Sequence, residues 1–459
     1  MADRGNTSRI KKIETNYLLY IKMKKKILTL LLITGCFQFL YAQENDFEDL
    51  LFELPDVIFT EIETAKGFES SYLLKIKQAL DHSDPSKGYF YQRAFLSHKG
   101  LEQPTVMITK GYEGSKNSIA ELTELLDGNQ ILIEHRYFGK SIPDTLDYNF
   151  LTLKQATGDL HHINQIFKSI YKHKWLSTGV SKGGATTLFY RYLYPDDVDV
   201  SVNYVGPINI AFEDQRIYHF LDTIGSKACR DKIRSFQKYL LKNREHILPL
   251  LDAYSLGAKA KYSYFSIEEA FEYAVMEYPF SFWQYGSACE EIPDKNVSYL
   301  DAIKYFIKVA NITFFSDKSI KKYAPHFYQS ATEFGYYGFE TSEFKGLLKE
   351  LPTDHNPYAA FMPNKMEAPF DDTLLNGINE WLPVYGNKII HIYGGIDTWS
   401  ASAVQPSDKV DALWFFMNGK HHSNARIKTM SPAEKEKLDD ALERWLSIEI
   451  DDKILRESH

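Results

Sequence analysis

The chain has 459 residues, 44% hydrophobic and 15% aromatic, enough to bury a large core in two domains or in one elaborated one. Its net charge of −8 and pI near 6.0 argue against nucleic acid as the main partner. A charged fraction of 25% is ordinary for a globular protein.

The first feature along the chain is a targeting signal. From Met23, MKKKILTLLLITGCFQFLYAQEN joins Lys24, Lys25 and Lys26 to an apolar run and a small residue, Ala42, before Gln43. That order reads as a secretory signal peptide, with residues 1–22 upstream of the true start. The run, about 16 residues with Gly, Thr and Gln inside, is too short and mixed to span a membrane. Ile33-Thr34-Gly35-Cys36 also fits a lipoprotein cleavage site, and lipidation at Cys36 would be the one route to membrane contact. Against it, Phe37 to Ala42 continues the apolar run where a polar tether would open. The expectation is export, to the periplasm or outside the cell, possible lipid anchoring included. Loss of residues 1–42, with eight basic and two acidic side chains, takes the net charge from −8 to −14. Of the remaining cysteines, Cys229 and Cys289 can pair in an oxidising compartment or stay as two buried thiols.

The middle of the chain alternates strand and helix patterns. Short apolar runs at Thr105–Thr109, Gln130–Glu134 and Lys174–Thr178 predict strands. Between the last two, Leu153, Ala156, Leu160, Ile163 and Ile166 recur at helical spacing. Ala185 to Tyr194 predicts another helix, stopped by Pro195, and Val198–Val205 a fourth strand. Such alternation implies βαβ units and a mainly parallel sheet with helices on both faces. From about 212 to 383 the chain turns helical and rich in Lys, Glu, Tyr and Phe. Sheet-like runs resume at Lys388–Tyr393 and Ala412–Met417, and Ser431-Pro432-Ala433-Glu434 opens a last amphipathic helix. The expected organisation is a leader over 1–42, an α/β core over 43–211 and 384–459, and a helical cap inserted over 212–383.

Between the third strand and its helix lies Gly179-Val180-Ser181-Lys182-Gly183, a G-x-S-x-G. A serine on that sharp turn needs small neighbours at minus two and plus two, so that strand and helix can approach while the hydroxyl points outward. The Lys182 N–H is then one oxyanion donor, and the loop at Gly111-Tyr112 should supply the other. The segment lacks the G-x-x-x-x-G-K-[ST] order of a phosphate cradle. A nucleophilic serine requires a base and an acid to orient it, which in this architecture follow in the order Ser, Asp, His at strand ends. Asp397, in YGGIDTW, follows the strand KIIHIY; His421 and His422 follow ALWFFM. His422 is the expected base and His421 the alternative. No H-E-x-x-H and no Cys/His cluster at ligand spacing occurs, so no metal or cofactor is expected.

At these residues the chain resembles a known family. EHRYFGKSIP (Glu134 to Pro143), TLKQATGDLHHI, STGVSKGG, YPDDVDVSVNYVGPI and YGGIDTWSA together look like the secreted bacterial prolyl tri/tetrapeptidyl aminopeptidases. Those serine peptidases are distantly similar to lysosomal Pro-Xaa carboxypeptidase and dipeptidyl peptidase II. The resemblance covers roughly 105–210 and 385–430. It implies an α/β-hydrolase core with a helical cap, and removal of short peptides from free N-termini, often after proline. It would make Ser181 the nucleophile, Asp397 the carboxylate and His422 the base. The family's Arg-Ile pair after the histidine lies one position further from His422 than expected, at Arg426-Ile427, so His421 stays open. Glu134, His135 and Arg136 are read as a structural tie between loops.

The expected partners are peptides, and an exopeptidase acting from the amino end needs a carboxylate for the substrate ammonium. Glu113 is one candidate, acidic cap residues are others, and Trp399 is a candidate substrate contact. An esterase or lipase would use the same triad, with the aromatic stretch from Phe265 to Trp283 facing an acyl chain. A non-catalytic binding protein on a hydrolase scaffold is the alternative from another class.

Overall fold

The computed structural model describes residues 23–24, 47–352, 361–363 and 366–450. The apolar run of the expected signal peptide and Cys36 lie outside the described residues. The chain divides into two compact units, Met1–Pro55 and Asp56–His459. In the first, Phe47–Phe52 forms a short helix. All that follows concerns the second.

Among the described residues its sheet has nine strands: β1 (Val57–Glu61), β2 (Ser70–Ala79), β3 (Tyr89–His98), β4 (Thr105–Thr109), β5 (Asn129–Ile133), β6 (Trp175–Val180), β7 (Val200–Tyr204), β8 (Ile389–Gly394) and β9 (Leu413–Met417). They lie in the order β1-β2-β3-β5-β4-β6-β7-β8-β9. From β5 through β9 every pair is parallel, while β1, β2 and β3 join antiparallel. β4, β5, β7 and β8 are buried along their whole length, as expected of strands covered on both faces. The crossovers from β5 to β6, from β6 to β7 and from β7 to β8 all contain α-helices.

α1 (Leu153–Phe167), capped by Thr152, and α2 (Lys182–Leu193) flank β6 in sequence. Among the described residues, seven α-helices lie between β7 and β8, of which the first six are α3 (Arg216–Thr223), α4 (Lys227–Lys242), α5 (Arg244–Gly257), α6 (Ile267–Gln284), α7 (Tyr299–Val309) and α8 (Asp317–Gln329). α9 (Thr373–Tyr385) precedes β8, and α10 (Pro432–Leu446) follows β9, opened by a Ser431/Glu434 capping box.

Two apolar layers sandwich the sheet, because alternate side chains of a strand face opposite sides. Val106, Leu132, Val202 and Ile390 pack with Leu438, Leu442 and Trp445 of α10. Ile389 packs on the other side with Leu188 and Phe189 of α2 and Ile378 and Leu382 of α9. The cap has its own core, which includes Phe236, Phe271, Tyr278, Phe306 and Phe361. A Cys229–Cys289 disulfide closes a loop of 60 residues within it.

This is an α/β-hydrolase fold with an inserted cap. One expectation is corrected. The segment 212–383 does not all belong to the cap, because α9 shares a core layer with α2 and Ile389 and so covers the sheet. The antiparallel strands β1–β3 are additional to the predicted ones. Among their polar residues, Gln78 Nε2 donates to Gln92 Oε1 at 2.8 Å across the β2–β3 pair.

Candidate active site

Ser181 occupies the turn from β6 into α2 with φ 59° and ψ −129°, a conformation that a residue with a Cβ adopts only when its surroundings enforce it. Both flanks enforce it. The Ser181 N–H donates to the Tyr204 carbonyl at 2.9 Å, and its own carbonyl accepts from Ala185 at 3.0 Å to start the helix. A Cβ on Gly179 would lie 2.6 Å from the Thr109 carbonyl oxygen, so only glycine lets β4 and β6 meet the helix there. Lys182 is the first residue of α2, where backbone N–H groups have no partner within the helix.

Asp397 follows β8 on a tight turn. Its N–H donates to the Gly394 carbonyl at 3.1 Å, and its Oδ1 accepts from the Trp399 N–H at 3.1 Å. The carboxylate is fully buried, and its other oxygen, Oδ2, lies 2.7 Å from His422 Nδ1. A carboxylate can only accept, so Nδ1 carries the proton and Nε2 is left as the basic nitrogen. His421 goes elsewhere: its N–H donates to Asn424 Oδ1 at 2.6 Å, and its ring packs against Gly286. Of the two histidines, His422 is thus the one hydrogen-bonded to Asp397.

Ser181 and His422 line one cavity of about 680 Å³, walled by the core loops and by the cap. Tyr112, Glu113 and Trp399 line it too. Trp399 stands edge-on to Phe280, Tyr336 and Tyr337, with ring centres 5.0, 5.4 and 5.5 Å away. Gly111 rests on the elbow itself: a Cβ there would lie 2.5 Å from the Lys182 Cβ. Glu113 sits 3.9 Å from Arg93 and 3.6 Å from Lys322. A larger neighbouring cleft of about 930 Å³ shares Glu113 and Lys322 but contains neither Ser181 nor His422.

The EHR segment ties loops together as read. Glu134 accepts from the N–H groups of Gly114 and Lys140, from the Ser141 hydroxyl and from Arg93. Arg136 pairs with Asp159 and donates to the carbonyls of Ala79, Leu80 and Phe150. His161 and His162 bond to Asp197 and Gln78 from α1.

Several cap residues at the cavity escaped the sequence reading. Glu277 of α6 accepts from the Ser281 hydroxyl at 3.0 Å and from the Tyr337 hydroxyl at 2.7 Å. The Gln284 carbonyl accepts from the His422 N–H at 3.0 Å. Only the i, i+4 placement of Glu277 and Ser281 on one helix face was there to be noticed.

The model of the PS-10 peptidase S37 family matches residues 42–450. The chain belongs to this family. It is a serine peptidase. A prolyl tri/tetrapeptidyl aminopeptidase of Streptomyces mobaraensis is 30% identical over 420 residues, covering 89% of this chain and 86% of that one. A protein of Arabidopsis thaliana named "Probable serine protease EDA2" is 23% identical over 245 residues, 47% of this chain and 50% of that one. Among solved structures, the proline iminopeptidase of Mycobacterium smegmatis matches with a TM-score of 0.38 and 12% identity, over 81% of this chain and 97% of that one.

Proposed function

We propose that this S37 peptidase is an exported exopeptidase that removes short peptides, of two to four residues with a preference for proline, from free N-termini. One observation carries the chemistry: the His422–Asp397 pair opens onto the same cavity that Ser181 lines. In this reading Ser181 Oγ attacks the scissile carbonyl while His422 Nε2 takes its proton. The imidazolium is stabilised by Asp397, which remains ionised. The N–H groups of Lys182 and Tyr112 receive the oxyanion, where preorganised donors act most strongly. The intermediate then collapses, the C–N bond breaks, and His422 returns its proton to the leaving amine. Water, activated by the same imidazole, releases the peptide from Ser181 and restores the enzyme.

The cavity suits a short peptide entering amino end first. Phe280, Tyr336, Tyr337 and Trp399 offer apolar faces to a rigid ring such as proline. Two carboxylates line it, Glu113 and Glu277. At Glu113 a substrate ammonium competes with Arg93 and Lys322. Glu277 is a buried carboxylate that accepts from the Ser281 and Tyr337 hydroxyls, and this reading takes it as the anchor. Export rests on the Met23–Ala42 leader pattern and the Cys229–Cys289 disulfide.

The test is labelling by a fluorophosphonate probe with and without Ser181→Ala, followed by turnover of a proline-containing tripeptide anilide against a p-nitrophenyl ester. Loss of labelling in the variant and preference for the free-amine peptide are expected. Labelling that survives Ser181→Ala rejects the nucleophile, and preference for the ester favours an esterase with the same three side chains.

A further inference from the structure

Beside the nucleophile the chain buries a cation that the acyl-transfer scheme does not use. Lys182 is 2% exposed. Lysine is almost never so buried unless its ammonium is paired, because desolvating the charge is costly. Its Nζ donates to the Gly111 carbonyl at 3.1 Å and to Gln329 Oε1 at 2.6 Å. It also lies 5.4 and 5.2 Å from the ring centres of Tyr112 and Phe138. Burial brings its pKa from 10.5 down to about 7, and the same burial keeps the adjacent His135 and His326 rings neutral.

The two acceptors belong to different parts of the molecule. Gly111 starts the loop after β4, whose next N–H, that of Tyr112, is the proposed second oxyanion donor. Gln329 ends α8 of the cap. It is followed by one π-helical turn, Ser330–Phe334, a feature often found at functional sites. That turn is anchored to the core, since Glu333 Oε1 accepts from the Leu153 N–H at the start of α1 at 2.5 Å.

A peptide unit is planar and trans, so its C=O and the following N–H point in opposite directions. The carbonyl of Gly111 and the N–H of Tyr112 share one such unit, and no cis bond occurs among the described residues. Holding the carbonyl on the ammonium therefore aims the Tyr112 N–H the other way. On the far side of Tyr112, its own carbonyl accepts from the His135 N–H at 3.2 Å, which limits rotation there too.

We propose that the Lys182 side chain is a positioning residue: by holding the Gly111 carbonyl and the cap's Gln329 together, it aims the Tyr112 N–H and makes the oxyanion site depend on a seated cap. This rests on the acyl-transfer reading above. Methionine at 182 keeps the backbone N–H and most of the side-chain volume but removes the clamp. Lys182→Met should lower kcat by about 10–100-fold, for a peptide anilide and a p-nitrophenyl ester alike, approaching the loss of an oxyanion donor. KM should stay within about threefold, as expected when only transition-state interactions are lost. Fluorophosphonate labelling of Ser181 should slow in proportion.

Gln329→Met, in the cap, should act in the same direction, and the double variant should be no slower than Lys182→Met alone. A kcat within twofold of wild type in Lys182→Met, or losses that multiply in the double variant, would overturn the clamp. If Lys182→Met does not fold, Gln329→Met decides: a lower kcat at constant KM supports the clamp, and an unchanged kcat rejects it. Failure of the underlying reading looks different, since the wild-type enzyme would then carry no label at Ser181.

Discussion

The backbone N–H of His422 donates to the Gln284 carbonyl at 3.0 Å, so the loop that carries the basic imidazole is pinned to the last residue of a cap helix. The ring of the same residue reaches into the core, to Asp397. Core and cap thus hold opposite ends of one histidine.

The neighbouring histidines should separate cleanly. His422→Ala should abolish turnover of a peptide anilide, while His421→Ala, whose ring packs on Gly286, should retain most of it. Asp397→Asn should lower kcat by about 10⁴-fold through loss of the correct tautomer. Comparable losses at 421 and 422 would contradict the assignment of His422 as the base.

Substrate ammonium recognition is read from a ratio. Glu277→Gln should raise KM for free-amine peptides at least about tenfold, while leaving an N-blocked ester nearly unaffected, on the order of a lost charge-assisted hydrogen bond. Glu113→Gln should affect both substrates equally and weakly. The reverse pattern would return the anchor to Glu113.

Stability should dip near neutral pH. Although Glu333 keeps some exposed surface, its carboxylate turns inward to Leu153, and desolvation raises its pKa from 4.5 to about 8. The folded state then holds a proton that the unfolded chain releases, so the stabilisation is complete below about pH 4.5 and lost as pH rises through about 8. Lys182 runs the other way: desolvation lowers its pKa from 10.5 to about 7, so stability returns between those values. Denaturant midpoints measured across pH should fall from 4.5 towards 7 in wild type and flatten in Glu333→Gln. Parallel curves for the two proteins would remove Glu333 from this account.

The Cys229–Cys289 bridge should matter for the cap and not for the chemistry. Closing a loop of 60 residues stabilises a fold by ~2–4 kcal/mol through the unfolded chain. The Cys229→Ser/Cys289→Ser double variant should therefore melt several degrees lower while keeping kcat at 25 °C. A large loss of kcat at full folding would mean that the bridge shapes the cavity.

Much of this protein was legible one segment at a time. β4 through β8 announce themselves as short apolar runs because strands covered on both faces need no polar residue. The elbow is legible because Gly179 and Gly183 flank Ser181 at fixed spacing between a strand pattern and a helix pattern, although the atoms that crowd them include the distant Thr109 carbonyl. The helix start at Ser431 is legible because its capping box lies within four residues. β2 and β3 were not, since the polar residues that mask them are satisfied only by distant partners, as Gln78 shows by bonding to Gln92 on the neighbouring strand and to Asp159 and His162 of α1.

By itself, then, the sequence determined an α/β core, its interruption by a helical insertion, and a serine, an aspartate and a histidine pair at successive strand ends. Local backbone geometry and burial dictate all of these. Tertiary structure alone decided that His422 and not His421 meets Asp397, that Thr373–Tyr385 covers the sheet, that Lys182 meets Gln329, and that Glu277 lines the cavity. Each of those depends on which residue a distant segment brings within hydrogen-bonding reach, and no spacing along the chain encodes that distance.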